Sequence, residues 1–370
     1  GPYMIALLVG TGIFLSFRLK FLQVKDFGFI LKKTFGRAFE KENLGENEIS
    51  SGQAGFSSIA AVVGTGNIAG VATAIAVGGP GAVFWMWFAA FFGMATKSAE
   101  IMLGVKYREK KEHGYVGGPM YYLDKGLNQK WLAVFFALMV IITYFVIGAI
   151  VDTNTMVLSI EEQYGINPLI SGVVISVATA IVIFGGIKSI GEVCEKLTPI
   201  MGGIYVVAGL AVLILNITKV PGAFVLIFSS AFRPMAATGG FAGATLVQVI
   251  TMGTARGLFS NEAGMGSSPM LHVSSKTDDP GEEGIWGVTE VFFDTMIICT
   301  ITALTILISG EWDSGASGVA LTMRAFTVAL NNDIGALVVL ISAVLFGYSC
   351  LITVNYYCEI AGRYLFGEKS

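Results

Sequence analysis

Long apolar runs separated by short polar stretches are the dominant pattern of the chain. A helix needs about 20 apolar residues to cross the hydrocarbon core of a bilayer, and about nine segments reach or approach that length. These segments are residues 3–21, 55–77, 82–105, 131–160, 168–187, 197–217, 241–271, 284–309 and 334–364. The pattern predicts an all-α polytopic membrane protein with about nine spanning helices.

The composition agrees with this class of protein. Hydrophobic residues make up 54% of the chain, charged residues 13%, and the mean hydropathy is +0.72. A water-soluble domain of this length cannot cover its surface with so few polar groups, so the solvent is the bilayer. Because the basic residues lie at helix ends rather than in one stripe, no nucleic-acid partner is predicted.

Charged residues between the apolar runs predict the orientation. The first span continues directly into Arg18 and Lys20, without the order of a cleaved signal peptide, so we interpret it as a permanent helix. The positive-inside rule makes the basic stretches cytoplasmic and places Gly1 outside the cell membrane. The cytoplasmic basic residues are Arg18, Lys20, Lys25, Lys32, Lys33, Arg37, Lys41, Lys106, Arg108, Lys110, Lys111, Lys188, Lys196, Lys276, Arg363 and Lys369. The exceptions are Lys219, Arg233 and Arg324, on loops predicted outside.

Neither metal nor cofactor chemistry is indicated. The histidines, His113 and His272, fall in predicted cytoplasmic loops, and the acidic run 278–283 is predicted to be a solvated turn. The cysteines lie in or beside apolar spans without CxxC spacing, which predicts neither zinc nor disulfides. We therefore expect no cofactor and no histidine-based catalytic cluster.

Two apolar spans contain short stretches rich in glycine and polar residues. The first is VGTGNIAG at 63–70 and the second is FSNEAGMG at 259–266. Each glycine lowers helix propensity by about 1 kcal/mol relative to alanine, and a backbone break at bilayer depth is tolerated only where it lines a cavity or is buried in protein. The two stretches predict broken helices around a solute site at the membrane midplane.

The first break offers groups of both polarities. A half-helix that begins here exposes N–H groups, for which we choose Thr65 and Gly66, and these suit a carboxylate. The carbonyls just before the break, those of Ala60, Val62 and Val63, point the opposite way and suit Na⁺. The alternative is that Gly64, Gly66 and Gly70 only let helices pack closely.

The second break is more polar, since Arg256, Asn261 and Glu262 lie in its span. A charge at the bilayer centre costs about 3 kcal/mol, so such residues are functional candidates. The alternative is a structural ion pair of Arg256 with Glu262 or with Glu100. Asp294, in the following span, either faces a cation path or is a charge at a helix end, and both interpretations stay open.

The order of the spans predicts an internal symmetry. The first broken span runs from inside to outside, whereas the second runs from outside to inside, five helices later. That is the geometry of an inverted repeat. We divide the chain into a first helix with its basic connection (1–50), a first five-helix repeat (51–217) and a second, incomplete repeat (218–370).

Several segments resemble the alanine or glycine:cation symporter family, and the likeness extends through the chain. They are GTGNIAGVATA, GGPGAVFWMW, FFGMATKSAE, GGPMYYL and FSNEAGMGSSP. The resemblance implies the five-plus-five inverted-repeat sodium symporter fold, typified by the neurotransmitter:sodium symporters, with one extra amino-terminal helix. That fold needs ten core helices, and we find about eight. The last two core helices are therefore expected to be absent, and a start at Gly1-Pro2 without methionine favours a fragment.

The same resemblance assigns the substrate contacts. It implies that the N–H groups of Thr65 and Gly66 receive a substrate carboxylate. The carbonyls of Phe259 and Ser260, with Glu262, would take the substrate ammonium. Asn67 and Ser260 would match a cation site that touches the substrate.

The resemblance also implies a role for Glu100 and a second cation site. Glu100 resembles an acidic residue that binds the freed N–H groups of the two breaks; the alternative is an i,i+3 surface pair with Lys97. The second cation site would use carbonyls of Ala60, Val63 and Phe346 with Ser349 and the next side chain. The family prefers threonine at that next position, but this chain has Cys350, which removes an oxygen ligand. Three interpretations stay open: Thr353, one turn later, compensates, the site is weaker, or Cys350 is a packing residue.

The predicted function is Na⁺-coupled symport of alanine or glycine by alternating access, with H⁺ coupling left open. Gly66, Gly70, Gly264 and Gly266 bring backbone close to the solute, and Phe259 and Met265 close over it, so only a small side chain fits. One alternative is a passive channel for small solutes or ions. A remote alternative is an intramembrane hydrolase, but Ser317 lies in a polar loop without a membrane-embedded histidine, so we predict no enzyme.

Overall fold

The structure is a computed structural model that describes residues 1–37, 48–111, 114–236 and 238–367. Within these ranges the helices and strands of the protein are almost all helices, with one short hairpin and three isolated β-bridges. The helices are α1 (Pro2–Arg18), α2 (Leu22–Lys25), α3 (Phe27–Arg37), α4 (Ser51–Val62), α5 (Ala69–Gly78), α6 (Ala82–Lys106), α7 (Pro119–Leu127), α8 (Lys130–Val140), α9 (Ala149–Tyr164), α10 (Pro168–Ile183), α11 (Gly186–Leu215), α12 (Val220–Ser230), α13 (Leu246–Asn261), α14 (Ser268–His272), α15 (Pro280–Gly284), α16 (Trp286–Val291), α17 (Thr300–Ser309), α18 (Gly318–Leu330) and α19 (Ile334–Phe366).

Short segments of other geometry complete the chain. Residues Thr65–Asn67 and Glu311–Asp313 form 3₁₀ turns. Residues Ile141–Gly148 and Phe292–Cys299 are π-helical, the first between α8 and α9 and the second between α16 and α17. Strands β1 (Glu109–Lys111) and β2 (Gly114–Val116) pair antiparallel. Such π-helical turns often occur at functional sites.

The long apolar helices confirm a multi-pass membrane protein. In the part of the chain that the structure describes, five helical stretches are long and apolar enough to cross a bilayer: α6, 130–164, α11, 280–309 and α19. A sixth span is broken: α4 and the segment from Thr65 to Gly78 meet at an angle of 51°. Shorter apolar helices, including α1 and α10, account for other predicted spans.

The sequence pattern missed the hairpin and several helices between the predicted spans, among them α3, α7, α12 and α18. Helices α12 and α18 have 11 and 13 residues, which is below the length that crosses a bilayer unaided. The predicted span 241–271 also starts too early, because α13 begins at Leu246 after a capping box of Thr245 and Gln248. The predictions for Lys41, His113 and Lys369 lie outside the described residues.

Close helix packing positions the two breaks. Helix α6 is central and packs against α1, α13, α14, α15 and α16, whereas α19 packs against α4, α9, α11 and α18. Gly253 of α13 lies so close to the Ala82 carbonyl of α6 that a Cβ atom there would collide with it, and a Cβ atom on Gly257 would lie 3.1 Å from Met86. Small residues thus let these backbones approach, as is common in membranes. We call α6 and the helices packed on it the α6 group, and α19 and the helices packed on it the α19 group. The two breaks meet between these groups.

Candidate functional site

The first predicted break is formed. Helix α4 ends at Val62, Gly64 is extended, and a 3₁₀ turn precedes the start of α5 at Ala69. The Asn67 side chain stabilises the interruption, because Asn67 Oδ1 accepts a hydrogen bond from Gly64 N at 2.9 Å. The continuous helix that a role in packing alone would favour is therefore not present.

Thr65 points from this break to an acidic residue that the sequence reasoning missed. Its Oγ1 donates to Asp152 Oδ1 of α9 at 2.6 Å. The backbone of Thr65 is also close enough to interact with the same carboxyl group. Both residues are buried. Asp152 was detectable as an acid inside the apolar run 131–160, by the argument that singled out Asp294.

The second break is formed as well. Helix α13 ends at Asn261, Glu262 has a φ of 56°, and Gly264 and Gly266 have φ values of 91° and 74°. Left-handed backbone of this kind favours glycine, which explains the glycines of the motif. The chain becomes helical again at Ser268.

Glu100 of α6 binds the freed N–H groups of the second break. Glu100 Oε1 accepts from Gly266 N at 3.0 Å and Oε2 accepts from Gly264 N at 3.3 Å. The alternative of a surface pair with Lys97 is wrong, because Lys97 is fully buried and donates to Asn261 O at 2.6 Å. The resemblance implied that Glu100 binds both breaks. Among the described hydrogen bonds, it binds only the second.

Asp294 joins the two breaks. Asp294 Oδ1 accepts from Asn67 Nδ2 at 2.7 Å and from Ser260 Oγ at 3.0 Å. Thr295 Oγ1 donates to the second oxygen at 2.6 Å. Asp294 is fully buried within a π-helical segment, so the interpretation as a charge at a helix end is wrong. The structure thus brings Asn67 and Ser260, predicted to share a cation site, onto one carboxylate.

The predicted second cation set is largely assembled. Ser349 Oγ lies 3.0 Å from Ala60 O and 2.9 Å from Phe346 O. The neighbouring Cys350 Sγ donates to Ala61 O at 3.2 Å, and Val63 is buried at the end of α4. Thr353 does not compensate for Cys350, because its hydroxyl donates to the carbonyls of Ser349 and Cys350 in its own helix.

A cavity of about 60 Å³ lies between the breaks. Six predicted site residues line it: Val62, Gly66, Phe259, Ser260, Glu262 and Cys350. So do Ala61, Gly64, Tyr144, Asp152 and the predicted lid residue Met265. The volume holds a few water molecules and suits a small solute.

Other predicted site residues do not line this cavity. Asn261 donates to Thr295 Oγ1 and accepts from Ala263 N, which turns its amide towards Thr295. A Cβ atom on Gly264 would meet Leu8 of α1, and one on Gly70 would point into open space. The left-handed turn points successive side chains in different directions. The periodicity of the sequence does not show which of them faces the cavity.

Arg256 makes neither predicted ion pair. It is half-buried, and within the described residues no salt bridge joins it to Glu262 or Glu100. Glu262 instead accepts a hydrogen bond from Ser267 Oγ at 2.5 Å. An arginine side chain is long enough to carry its charge out of the apolar region. A basic residue inside an apolar run is therefore not evidence of a buried ion pair.

The sequence pattern placed His272 in a cytoplasmic loop, and this prediction is wrong. It is fully buried at the end of α14, where Nδ1 lies 2.5 Å from Glu283 Oε1 and Nε2 lies 2.7 Å from Glu290 Oε1. Glu283 belongs to the acidic run predicted to be a solvated turn, yet it is fully buried too. The burial of His272 and Glu283 depends on partners that are distant in the sequence. Local composition does not reveal such partners.

Two helices broken at one small cavity, in a multi-pass helical bundle, are typical of a membrane transporter that carries a small solute. Comparison with known proteins defines the family. The sequence profile of the sodium:alanine symporter family matches residues 1–370, and the chain belongs to this family.

Several relatives align with almost the entire chain. The sodium/alanine symporter AgcS of Methanococcus maripaludis is 44% identical over 378 residues, which cover 100% of this chain and 82% of that protein. An uncharacterized transporter of Haemophilus influenzae is 40% identical, covering 100% and 81%. The probable sodium/glutamine symporter GlnT of Bacillus subtilis is 39% identical, covering 99% and 73%. The chain is thus similar to symporters named for different amino acids.

Proposed function

We propose that the protein is a Na⁺-coupled symporter that carries a small amino acid, alanine or glycine, into the cell by alternating access. The observation that carries this proposal is the bridge at Asp294. One carboxylate holds Asn67 of the first break and Ser260 of the second, beside the small cavity. A cation bound there is positioned to influence both broken helices.

The substrate groups fit the two breaks. The substrate carboxylate binds the backbone N–H groups of Thr65 and Gly66, at the positive end of a half-helix. The ammonium binds the carbonyls of Phe259 and Ser260 and the Glu262 carboxylate, which line the same cavity. Tyr144 adds a buried hydroxyl group to the wall of the same cavity, near Glu262.

The cavity volume supports alanine or glycine over a bulky substrate. The Phe259 ring is within 3.6 Å of a Cβ atom built on Gly66. Phe259 and Met265 therefore limit the space on one side of the substrate, and Gly66 leaves just enough room on the other. A large side chain would have to displace one of these groups.

Two Na⁺ sites follow from the remaining contacts. The first uses Asn67, Ser260 and Asp294 beside the substrate. The second uses carbonyls of Ala60, Val63 and Phe346 with Ser349 Oγ, between α4 and α19. Bound Na⁺ at either site stabilises the broken conformation, so ion and substrate increase each other's affinity.

The wider architecture completes the proposal. Segments 51–217 and 218–370 are two inverted repeats, and the helix in 1–50 is peripheral to them. The carrier lies in the cell membrane with Gly1 outside. The rigid elements that move against each other are the α6 group and the α19 group, which meet at the cavity.

The test is uptake by purified protein in liposomes with an inward Na⁺ gradient. We expect labelled alanine to accumulate above its external concentration, and external unlabelled alanine to exchange with label inside. Alanine is also expected to raise the melting temperature of the protein more with Na⁺ than without it. Uptake that ignores both Na⁺ and H⁺ refutes the proposal, and ion-channel flux without exchange indicates a pore.

A further inference from the structure

A second cavity, separate from the one between the breaks, is an open groove along α11. It has a volume of about 260 Å³ and is lined by residues of α3, α4, α11 and the second π-helical segment. Phe56 and Ile59 are buried at its base, whereas Phe35 and Gly203 are exposed at its edge. A Cβ atom built on Gly203 would meet open space. We call this cavity the α11 groove.

The lining of the α11 groove favours an apolar occupant. Among its described lining residues, Thr198 has the only polar side chain. Thr198 Oγ1 donates to Phe56 O at 3.0 Å, so this hydroxyl is already used within the protein. The rings of Phe35 and Phe293 form part of the wall, with their centroids 5.9 Å apart. An occupant that buries hydrocarbon against this surface gains the most.

The depth of the groove matches one half of a bilayer. The positive-inside rule places Lys196 on the cytoplasmic side, and the predicted span begins at the next residue. The lining residues of α11 extend from Thr198 to Val206, which is about 12 Å at 1.5 Å per residue. Since the hydrocarbon core is about 30 Å thick, the α11 groove lies within its cytoplasmic half.

A lipid acyl chain fits this space better than a helix from another protein. One turn of an α-helix with its side chains, 5.4 Å long and about 10 Å wide, fills about 400 Å³. That exceeds the groove volume of about 260 Å³. An acyl chain is slender and is the solvent at this depth. We therefore expect a single hydrocarbon chain in the groove.

Basic side chains at the cytoplasmic end indicate the headgroup. Lys32 precedes Phe35 by three residues on α3, and Lys196 precedes Pro199 by three residues on α11. Each lysine thus shares a helix face with a lining residue, and both are exposed. Residues 18–33 carry five basic residues and one acid. Basic clusters beside the cytoplasmic end of a span attract anionic phospholipids.

Nearby acids do not cancel this positive charge. Glu282 is bound by Lys33 at 2.5 Å, and Glu195 accepts from Gln53 Nε2 at 2.9 Å. Glu192 of α11 is exposed and offsets one of the two lysines near the start of that helix. The residues three and four positions from Lys32 on α3 are glycines and phenylalanines. No acid therefore lies beside Lys32 on its own helix face.

We propose that the α11 groove binds one acyl chain of an anionic phospholipid of the cytoplasmic leaflet, and that Lys32 and Lys196 bind its phosphate group. The second acyl chain stays in the surrounding bilayer. Ile59 and Phe293 of the groove each precede a residue of a proposed Na⁺ site. The lipid thus packs behind the segments that hold those sites, outside the transport path. The inference does not depend on the proposed function.

The test is lipid binding to purified, delipidated protein in detergent, measured by native mass spectrometry. Dioleoyl phosphatidylglycerol is the anionic probe. Dioleoyl phosphatidylcholine has the same chains without net charge and is its control. We expect the first phosphatidylglycerol to bind with about tenfold higher affinity than phosphatidylcholine. Glycerol phosphate, which lacks acyl chains, is not expected to compete.

Two sets of variants probe the groove and its lysines separately. Gly203→Leu fills the open space and is expected to lower phosphatidylglycerol affinity about tenfold. Gly10→Leu is the matched control, because Gly10 is also exposed within a helix with open space at its Cβ position. Lys32→Gln combined with Lys196→Gln is expected to bring the affinities for the two lipids within about twofold. Lys219→Gln, at an exposed lysine on the opposite predicted side, is expected to keep the preference.

Each contrary result overturns the proposal. Equal affinity of wild-type protein for the two lipids contradicts the anionic headgroup, as does a preference that survives the loss of both lysines. Equal binding by Gly203→Leu and Gly10→Leu places the lipid outside the groove. Competition by glycerol phosphate indicates a phosphate site without an acyl chain. The wild-type and lysine measurements decide the matter even if Gly203→Leu protein does not fold, and none of them requires transport.

Discussion

Two buried polar regions of this protein differ in how their charges are balanced. The first, the charge network, consists of Lys97, His272, Glu283 and Glu290 at the contacts of α4, α6, α14, α15 and α16. The second, the acid site, consists of Asp152 and Glu262, which line the cavity, and Asp294, which accepts a hydrogen bond from Ser260 of the cavity wall. Both regions are at least nine-tenths buried, yet only the first contains its own cations.

The charge network is closed by hydrogen bonds. Both nitrogens of His272 face carboxylates, an arrangement in which both must donate, so His272 carries a positive charge. Lys97 and His272 then balance Glu283 and Glu290. The remaining carboxylate oxygens accept from serines: Ser51 to Glu283 at 2.7 Å, and Ser58 and Ser268 to Glu290 at 2.7 and 3.0 Å.

The acid site is left open. Its carboxylates accept from hydroxyl and amide groups of both breaks, but no basic side chain of the described chain contacts any of the three. Buried carboxylates in this condition attract cations from outside. In the proposed carrier the two regions would have separate tasks: the neutralised network holds helices together, and the acid-rich site gains and loses ions.

The largest predicted effect comes from breaking the charge network. His272→Leu leaves Glu283 and Glu290 facing each other without the cation between them, and removing one partner of a buried ion pair costs about 3–5 kcal/mol. We expect the free energy of unfolding to fall by that amount, measured by denaturant unfolding in detergent. The control is Glu359→Gln, which breaks a half-exposed i,i+4 pair with Arg363 and should cost about 0–1 kcal/mol. Equal losses in the two variants would contradict the comparison.

The next effect concerns the space at the acid site. Gly66→Leu places a large side chain against the Phe259 ring and into a cavity of about 60 Å³. We expect alanine affinity to fall at least 100-fold, about 2.7 kcal/mol, measured by isothermal titration with Na⁺ present. Gly66→Ala is the graded comparison: its Cβ meets Phe259 at an ordinary 3.6 Å, so alanine affinity should fall less than in Gly66→Leu. Strong alanine binding by Gly66→Leu would place the substrate elsewhere.

A smaller effect is expected at the acid that joins the breaks. Asp294→Ala removes the shared acceptor of Asn67 and Ser260. We expect the Na⁺ concentration that half-maximally supports alanine-induced thermal stabilisation to rise about tenfold, or about 1.4 kcal/mol. The control is Asp124→Asn, because the Asp124 carboxylate accepts a hydrogen bond from the Tyr364 hydroxyl instead of from either break. An unchanged Na⁺ requirement in Asp294→Ala would exclude this residue from the cation site.

The sequence predicted the breaks well, because glycine and polar residues inside an apolar run have a local physical meaning. The stretches at Gly64–Asn67 and Glu262–Gly266 both lose helical geometry. The contact of Glu100 with the second break was also expected. These features depend on residue type at bilayer depth, which a single sequence displays directly.

The direction of each side chain was harder to predict. Gly264 and Asn261 belong to the second break but point to Leu8 and Thr295 rather than to the cavity. The charge network was missed because Lys97 and Glu290 lie 193 residues apart in the sequence, and only folding brings them together. Pairing over such distances is a tertiary property that periodicity does not encode.

The smallest predicted effect tests whether the second cation set depends on the chemistry of one side chain. Cys350 lies beside Ser349, and its Sγ reaches Ala61 O rather than the Ala60 carbonyl that Ser349 contacts. Cys350→Ser replaces a soft sulfur by an oxygen that Na⁺ prefers. We expect Na⁺ affinity to rise about threefold, or about 0.6 kcal/mol, in the thermal-stabilisation assay. Cys358→Ser, at a half-buried cysteine of the same helix, should leave Na⁺ affinity unchanged. A rise in both variants, or in neither, would mean that Cys350 packs against the first break without contacting the ion.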